Sequence, residues 1–339
     1  PRKPRIEFEG AIYHVMSRGN RGDDIFVDDQ DRKRFLDTLE ETCGRCGWRI
    51  HAFVLMGTHY HLLLETPEAN LVAGMKWLQG TYTQRFNSRH KLWGHLLQGR
   101  YKALLVDAAS NGAYFQTVGS YIHLNPARAK LFSLKSERLS DYSWSSYPLY
   151  LRSSKRPGWL YVDRLLGAMG LEDNSSGLAL FRSAMQKRVL EIFKSRSPLD
   201  ADEEWKNIRR GWCFGSPSFK EEMLDKLDGI IGVSGKRDSF NGEASKVHDE
   251  HAAEKLLKAG MLALGIGRMD LQKMKKSSPE KCALAWLVRK HTCVTNEWIK
   301  QKLYMGKATN FSVLIKRVEE KQLFIEPILS ISNSIKISD

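Results

Sequence analysis

The sequence predicts an α+β fold for residues 1–155, a ferredoxin- or RRM-like antiparallel sheet with helices packed on it. Three observations carry this prediction. Short strand-like runs alternate with segments of helical periodicity, two of the runs form a hairpin in the middle, and Pro126 terminates the last helical segment. After about residue 159 the periodicity becomes helical, so the remainder is predicted to be mostly α-helical.

The elements of the first unit follow from periodicity and from end signals. Asp29 or Asp31 is expected to cap a helix that runs to about Cys43. Gly57-Thr58 joins two apolar runs as a hairpin turn. The predicted strands span 11–16, 48–56, 59–65 and 100–106, and further helices span 71–87 and 112–124. Pro126 ends the last helix because proline lacks an amide hydrogen and restricts the residue before it.

The chain is predicted to have four segments. They are the α+β unit at 1–155, a helical connecting region at 156–231, a linker rich in Gly, Ser, Lys and Asp at 232–249, and a helical region at 250–339. Within the last region, residues 294–318 have the pattern of a helix-turn-helix, with Thr295 as the first cap and Gly306 in the turn. Its second helix would bring five polar side chains to DNA: Lys307, Thr309, Asn310, Lys316 and Arg317. An all-helical packing module is the alternative.

The charge distribution indicates a polyanionic partner. The net charge is +14, and it concentrates in two zones: nine Lys/Arg against two acids over 85–138, and twelve against four over 273–321. Solvated helix faces are the simpler explanation of such zones. Five scattered cysteines do not form a disulfide framework, which favours a cytoplasmic, nucleoid-associated protein. The sequence has neither an apolar run long enough for a membrane span nor a Gly-x-x-x-x-Gly-Lys-Ser/Thr loop, so no membrane or nucleotide cofactor is expected.

His59 and His61 are spaced to share a metal ion. Side chains at i and i+2 project from the same face of a strand, and both flanks of this pair are apolar. Two histidines that hydrogen-bond elsewhere are the alternative. Cys43 and Cys46 with His59 imitate a zinc finger, but the second histidine follows too soon and lies on a strand, so both cysteines are interpreted as structural.

Tyr121 and Asn125 form the second candidate pair. Positions i and i+4 of a helix lie one above the other, so a hydroxyl and an amide would face the same way. Taken alone, the pair is equally typical of a half-buried tyrosine and a helix-ending asparagine.

Five blocks together resemble one family. They are GAIYHVMSRGN (10–20), FVLMGTHYHLLLE (53–65), GRYKA (99–103), YIHLNPARA (121–129) and YSWSSY (142–147). In this order they resemble the single-tyrosine HUH transposases, specifically the REP-associated tyrosine transposases, over roughly residues 1–150. One position departs from the family: Thr58 stands where the family usually has Asn, and Gly57 precedes it in place of Pro.

The resemblance implies a role for each matching residue. His59, His61 and Asn125 would hold a divalent metal, Mg²⁺ or Mn²⁺, and Tyr121 would be the nucleophile. Arg18, Asn20 and Arg21 would read a short guide sequence beside a DNA hairpin. From residue type alone, Arg100 and Lys102 are the favoured phosphate contacts, and Arg128 is a further cation that could act near Tyr121.

The expected function is nicking and rejoining of single-stranded DNA at hairpins through a 5′-phosphotyrosine intermediate. Because that link conserves the energy of the broken bond, no ATP is required. The alternatives are a non-catalytic, domesticated hairpin-binding regulator and a metal-dependent phosphodiesterase that uses water. Longer members of the resembled branch are thought to act as monomers, and the smallest relatives as dimers, so a monomer is expected with a dimer as the alternative.

Overall fold

The computed structural model describes residues 6–109, 112–194, 208, 211–234, 243–292, 294–306, 311, 314, 315, 318 and 326–337. The chain forms two compact units, Arg5–Met223 and Leu224–Asp339. Each unit has its own buried apolar residues, and the candidate site lies in the first.

The first unit is built on a five-stranded sheet in the order β2-β3-β1-β4-β5. The strands are β1 (Ala11–Arg18), β2 (Arg49–Leu55), β3 (His59–Thr66), β4 (Lys102–Val106) and β5 (Cys213–Phe214). β1 pairs antiparallel with both β3 and β4, and β2 pairs antiparallel with β3. The first four strands therefore have the predicted ferredoxin-like arrangement, which confirms the predicted fold class.

Helices cover the two faces of this sheet. On one face, α1 (Asp29–Cys46) and α2 (Leu71–His90) enclose Tyr60, whose ring centroid lies 4.7 Å from that of Phe35. On the other face, α3 (Ala113–His123) packs against β2 and β3. Tyr82 and Phe86 of α2 are buried, as expected for core residues on the apolar side of a helix.

The cap of α1 differs from the prediction. Asp28, and neither Asp29 nor Asp31, accepts hydrogen bonds from the amides of Gln30 and Asp31, both at 3.0 Å. The carboxylate of Asp31 is buried and instead receives Arg89 at 2.6 Å. Arg89 also binds the Asp28 carboxylate, so Asp28 is the cap because it directly precedes the first helical residue and not because it lacks a tertiary partner.

The predicted hairpin is present. The amide of Met56 donates to the carbonyl of His59 at 2.8 Å and closes a two-residue turn at Gly57-Thr58. A Cβ at Gly57 would lie 2.9 Å from the Asp24 carboxylate, so glycine permits this close approach.

The sheet extends beyond the four predicted strands. β5 pairs with β4 in parallel, a departure from the expected all-antiparallel sheet. At the opposite edge, the amide of Ile50 donates to Trp159, and the amide of Tyr161 donates to Ile50, at 3.1 and 2.8 Å. Residues well after 155 therefore complete both edges of the sheet.

Pro126 does not stop the helical backbone. After α3, the short helix α4 (Asn125–Arg128) begins with Pro126 in its first turn, where an amide hydrogen is not needed. The remaining helices of this unit are α5 (Tyr147–Tyr150), α6 (Asp163–Ala168) and α7 (Ser175–Lys194), and α8 (Pro217–Ser234) crosses the unit boundary.

The second unit is helical where it is described. It contains α9 (Glu243–Ala263), α10 (Arg268–Lys273), α11 (Pro279–His291), α12 (Asn296–Lys302) and α13 (Glu326–Ile337). Residues 243–249, which the sequence analysis assigned to the linker, belong to α9. Glu243 and Ala244 are good helix formers, and the helix begins with them.

The first half of the predicted helix-turn-helix is present. Thr295 caps α12 by accepting from the amide of Trp298 at 3.2 Å, and Gly306 has a φ of 65° in the following turn. The predicted contacts Lys307, Thr309, Asn310, Lys316 and Arg317 lie outside the described residues. The helix-turn-helix therefore stays a prediction.

Of the helices within the described part of the chain, none combines the length and the apolarity that a bilayer crossing requires.

Candidate active site

β3 places His59 and His61 on one face of the sheet, as their spacing predicts. Their ring centroids are 5.2 Å apart. The cross-strand partner of His61 on β1 is Met16, and that of His59 is Arg18. His61 is buried, whereas His59 is partly exposed at the end of the strand. The pair therefore lies at the point where the sheet meets solvent.

Tyr121 reaches the same face from α3. Its ring centroid lies 5.6 Å from that of His61 in an edge-on arrangement. The side chain is 5% exposed, so the ring is held by its surroundings. Two sequence segments 60 residues apart (121 minus 61) thus meet at one site.

Arg128 is the cation that the structure places next to Tyr121. Its guanidinium carbon lies 4.8 Å from the centre of the Tyr121 ring. The guanidinium comes from α4, one helical turn past Asn125. Of the three cations that the sequence offered near Tyr121, Arg128 is thus seen in contact with its ring.

The side chain of Asn125 is hydrogen-bonded to the backbone of Tyr121. Its side-chain nitrogen donates to the carbonyl oxygen of Tyr121 at 3.1 Å, and the residue is 8% exposed. Because the nitrogen is engaged, the amide oxygen is directed away from that carbonyl. Asn125 and Tyr121 therefore share a neighbourhood although they lie on two helices, and not on one as predicted.

The histidine rings contact neighbours through their Nδ1 atoms. Thr58 Oγ1 lies 3.1 Å from Nδ1 of His59, so the residue that departs from the family pattern still offers a hydrogen-bonding group. His14 Nε2 lies 2.8 Å from Nδ1 of His61. Burial lowers the pKa of His59, with Arg18 as a second cause, and burial lowers the pKa of His14 to about 3.

His14 was not singled out from the sequence. Its ring meets that of His61 end to end, with centroids 5.1 Å apart, and meets Tyr121 edge-on at 5.7 Å. The available signal was its position: a polar residue two before Met16 and four before Arg18 lies on the same strand face as both. Only the register of β1 against β3 reveals its partner.

Two basic residues lie on this face of the sheet. Arg18 and Lys102 are exposed, and Lys102 is the cross-strand partner of Met16, which in turn faces His61 across β1 and β3. Residues directly opposite on an antiparallel sheet share a face. Two of the predicted DNA contacts therefore lie on the face that carries the histidines.

The remaining predicted contacts of this unit lie in connecting segments. Asn20 and Arg21 form the turn after β1, where Arg21 adopts a φ of 55° and is exposed. Arg100 is also exposed and precedes β4. The amide of Gln98 donates to the carbonyl of Arg18 at 2.8 Å, so the segment before β4 adjoins the end of β1.

An exposed tryptophan projects from the loop between α2 and β4. Trp93 is 92% exposed. The loop is anchored on both sides of it: the amide of Leu92 donates to the Asn87 carbonyl at 2.9 Å, and Asn87 Nδ2 donates to the Gly94 carbonyl at 3.0 Å. The backbone around this apolar side chain is therefore held in place.

The zinc-finger alternative finds no support. Burial raises the pKa of the Cys43 thiol to about 12, which disfavours a metal-binding thiolate. Throughout the described ranges, no three His, Cys, Asp or Glu side chains are arranged to share a metal ion. The His59, His61 and Asn125 set is of a different kind, because its third member is an amide.

A comparison with known proteins matches the part of the chain that contains the candidate site. The profile of the family described as IS200-like transposases matches residues 7–125, about a third of the chain, and this range includes His59, His61, Tyr121 and Asn125. No curated protein matches the chain.

Two solved structures are similar at low identity. A REP-associated tyrosine transposase bound to a REP hairpin is 14% identical, with a TM-score of 0.38, and the match covers 48% of this chain and 93% of that one. A protein from Deinococcus radiodurans R1 described as a transposase is 22% identical, with a TM-score of 0.26, and the match covers 35% and 95%.

Proposed function

We propose, on the premise that residues 7–125 form an IS200-like transposase domain, that this protein nicks and rejoins single-stranded DNA at hairpins through Tyr121. The observation that carries the proposal is the position of Tyr121 beside His61 and Arg128, on the face where His59 also lies.

The reaction is a transesterification at phosphorus. The Tyr121 hydroxyl oxygen forms a bond to the scissile phosphorus, the phenolic proton is lost, and the bond from phosphorus to the 3′-oxygen breaks. One DNA fragment leaves with a 3′-hydroxyl, and the other stays linked through its 5′-phosphate. Attack by a 3′-hydroxyl on this link reverses the step and rejoins DNA.

Arg128 and the burial of the Tyr121 ring have separate roles in this step. Arg128 lies over the Tyr121 ring and would offset the negative charge of the approaching phosphate. Burial of the ring limits its rotation, so the hydroxyl is presented in one direction.

The donor set fits a divalent metal. Both histidines have Nδ1 next to a protein group, which leaves Nε2 as the candidate metal ligand, and Asn125 has its amide nitrogen engaged, which leaves its oxygen. His59, His61 and Asn125 would hold Mg²⁺ or Mn²⁺. When bound, the ion would polarise a phosphate oxygen and orient the scissile group.

A labelled-substrate assay tests the proposal. Hairpin-bearing single-stranded DNA with Mg²⁺ or Mn²⁺ is expected to give a covalent protein–DNA adduct on a denaturing gel. Because the link is to a 5′-phosphate, a 3′-terminal label should travel with the protein, and a 5′-terminal label should be released.

The same gel separates the alternatives. Cleavage without adduct would identify a phosphodiesterase that uses water. Binding without cleavage in either metal would identify a hairpin-binding regulator. Adduct on the 5′-labelled fragment would reverse the proposed polarity.

Trp93 is expected to stack on an unpaired base. Trp93→Ala should weaken single-stranded DNA binding about 5- to 150-fold, since stacking on an aromatic side chain contributes roughly 1–3 kcal/mol per base. The dependence of affinity on salt should stay the same, because no charge is removed. Trp93→Phe should retain most of the affinity in the same fluorescence-anisotropy titration.

Leu180→Ala is the matched control, because Leu180 is 58% exposed on α7 of the same unit. An equal loss of affinity in both alanine variants would contradict a specific role of Trp93.

The second unit is expected to add phosphate contacts. A chain ending after Ser234 keeps α8 whole, whereas an end at residue 250 would divide α9. This shortened chain should bind hairpin DNA more weakly and with a shallower salt dependence, since fewer counterions are released. Cleavage at saturating DNA should persist, because each proposed catalytic residue precedes residue 130.

Binding measured against salt concentration for both chains is the test. Equal slopes would show that the second unit does not contact phosphates. Loss of cleavage at saturation would show that it is needed to form the active site.

A further inference from the structure

Two buried imidazoles share one hydrogen bond behind the proposed active site. His14 Nε2 and His61 Nδ1 are 2.8 Å apart, and the two rings lie end to end and nearly in one plane, with an interplanar angle of 18°. His14 is 4% exposed and His61 is 2% exposed. The contact joins β1 to β3, which are neighbours in the sheet.

The direction of this hydrogen bond decides whether His61 can bind a metal. A neutral imidazole has one N–H and one nitrogen with a lone pair. If His61 Nδ1 carries the hydrogen, Nε2 of His61 has the lone pair and can coordinate. If His14 Nε2 carries the hydrogen, the lone pair of His61 lies on Nδ1 and accepts it. Nε2 of His61 is then an N–H and cannot coordinate a metal.

The corresponding contact of His59 does not impose such a choice. Thr58 Oγ1 lies 3.1 Å from Nδ1 of His59, and a hydroxyl can either donate or accept. His59 can therefore adopt the tautomer that coordination requires without a fixed second partner. For His61, the partner has a tautomer of its own, and the two must match.

We propose that His14 is a positioning residue: its Nε2 accepts from His61 Nδ1 and so presents Nε2 of His61 to the divalent ion. This inference rests on the proposed function, because it takes the metal site at His59, His61 and Asn125 as given. It adds a residue that touches neither DNA nor metal. Metal-binding histidines commonly depend on such an acceptor, and its loss costs about 10- to 100-fold in metal affinity.

Two substitutions separate acceptance from packing. In His14→Gln, the side-chain oxygen can occupy the position of Nε2 and accept from His61. In His14→Leu, similar volume remains but no acceptor does. Both are made in the full-length chain, and circular dichroism with thermal unfolding checks that each variant folds.

Mn²⁺ affinity, measured by electron paramagnetic resonance without DNA, is the first readout. Wild type and His14→Gln should agree within about threefold, and His14→Leu should bind about 10- to 100-fold more weakly. Equal affinity of His14→Leu and wild type would overturn the inference while leaving the metal site in place. Absence of Mn²⁺ binding in the wild type would instead refute the metal site on which it rests.

The tautomer of His61 in the metal-free wild type is the second readout. Long-range ¹H–¹⁵N spectra of histidine-labelled protein distinguish the two tautomers, and the His61 signals are assigned by their loss in His61→Ala. We expect the Nδ1–H form. The Nε2–H form would overturn the inference even if His14→Leu failed to fold.

Discussion

Tyr121→Phe is expected to abolish the covalent protein–DNA adduct and to leave hairpin binding nearly unchanged. The substitution removes only the nucleophilic oxygen, and the ring that contacts His61 and Arg128 stays. Deletion of a nucleophile in well-studied hydrolases lowers turnover about 10⁴- to 10⁶-fold. The measurement is a denaturing gel with 3′-labelled hairpin DNA, together with an anisotropy titration of the same DNA.

Tyr161→Phe is the matched control for this experiment. Tyr161 lies beside β2, where its amide pairs with Ile50, and no ring contact joins it to the candidate site among the described residues, so its hydroxyl should have no part in cleavage. Adduct formation should therefore be unchanged in this variant. A persistent adduct in Tyr121→Phe would assign the nucleophile to another tyrosine.

The fold of the first unit could be predicted because its signals are local. The alternation of strand and helix periods, the Gly57-Thr58 turn and the apolar runs around His59 each depend on neighbours in sequence. The edges of the sheet could not be predicted in this way. Trp159 and Cys213 reach β2 and β4 through long connections, and two strand residues, as in β5, are too few to give a period.

The site could be predicted in part for the same reason. His59 and His61 share a face because of a spacing of two, and Asn125 meets Tyr121 because of a spacing of four. The His14 contact depends on strand register across 47 residues of sequence, and the Arg128 contact depends on a bend after α3. The register has no sequence signal of its own, and Pro126 marks where α3 ends but not the direction that the chain takes after it.

Residue type alone also failed to predict which aspartate caps α1. Asp28, Asp29 and Asp31 are equivalent as helix caps by residue type. The cap is Asp28 because it stands directly before the first helical residue, whereas Asp31, which binds Arg89 and His90, lies inside the first turn. Residue type alone does not fix where the first helical residue falls.

The second large effect is expected from the metal ligands. His59→Ala and His61→Ala should each weaken Mn²⁺ binding by more than about 100-fold, since even loss of a residue that only supports a ligand costs about 10- to 100-fold. Cleavage should end at metal concentrations that saturate the wild type. Asn125→Ala should have a smaller effect, because water offers Mn²⁺ an oxygen donor of the same kind and can take the place of the amide oxygen.

A histidine outside the site provides the control. His95 is exposed in the loop before β4, and His95→Ala should leave Mn²⁺ binding as it is in the wild type. The titration is read by electron paramagnetic resonance and repeated with the double variant His59→Ala, His61→Ala. Wild-type affinity in the double variant would place the metal elsewhere, and Tyr121 would then need a different source of phosphate activation. Loss of metal binding together with retained hairpin affinity is the expected result, because Arg18 and Lys102 remain exposed on the same face to bind phosphates.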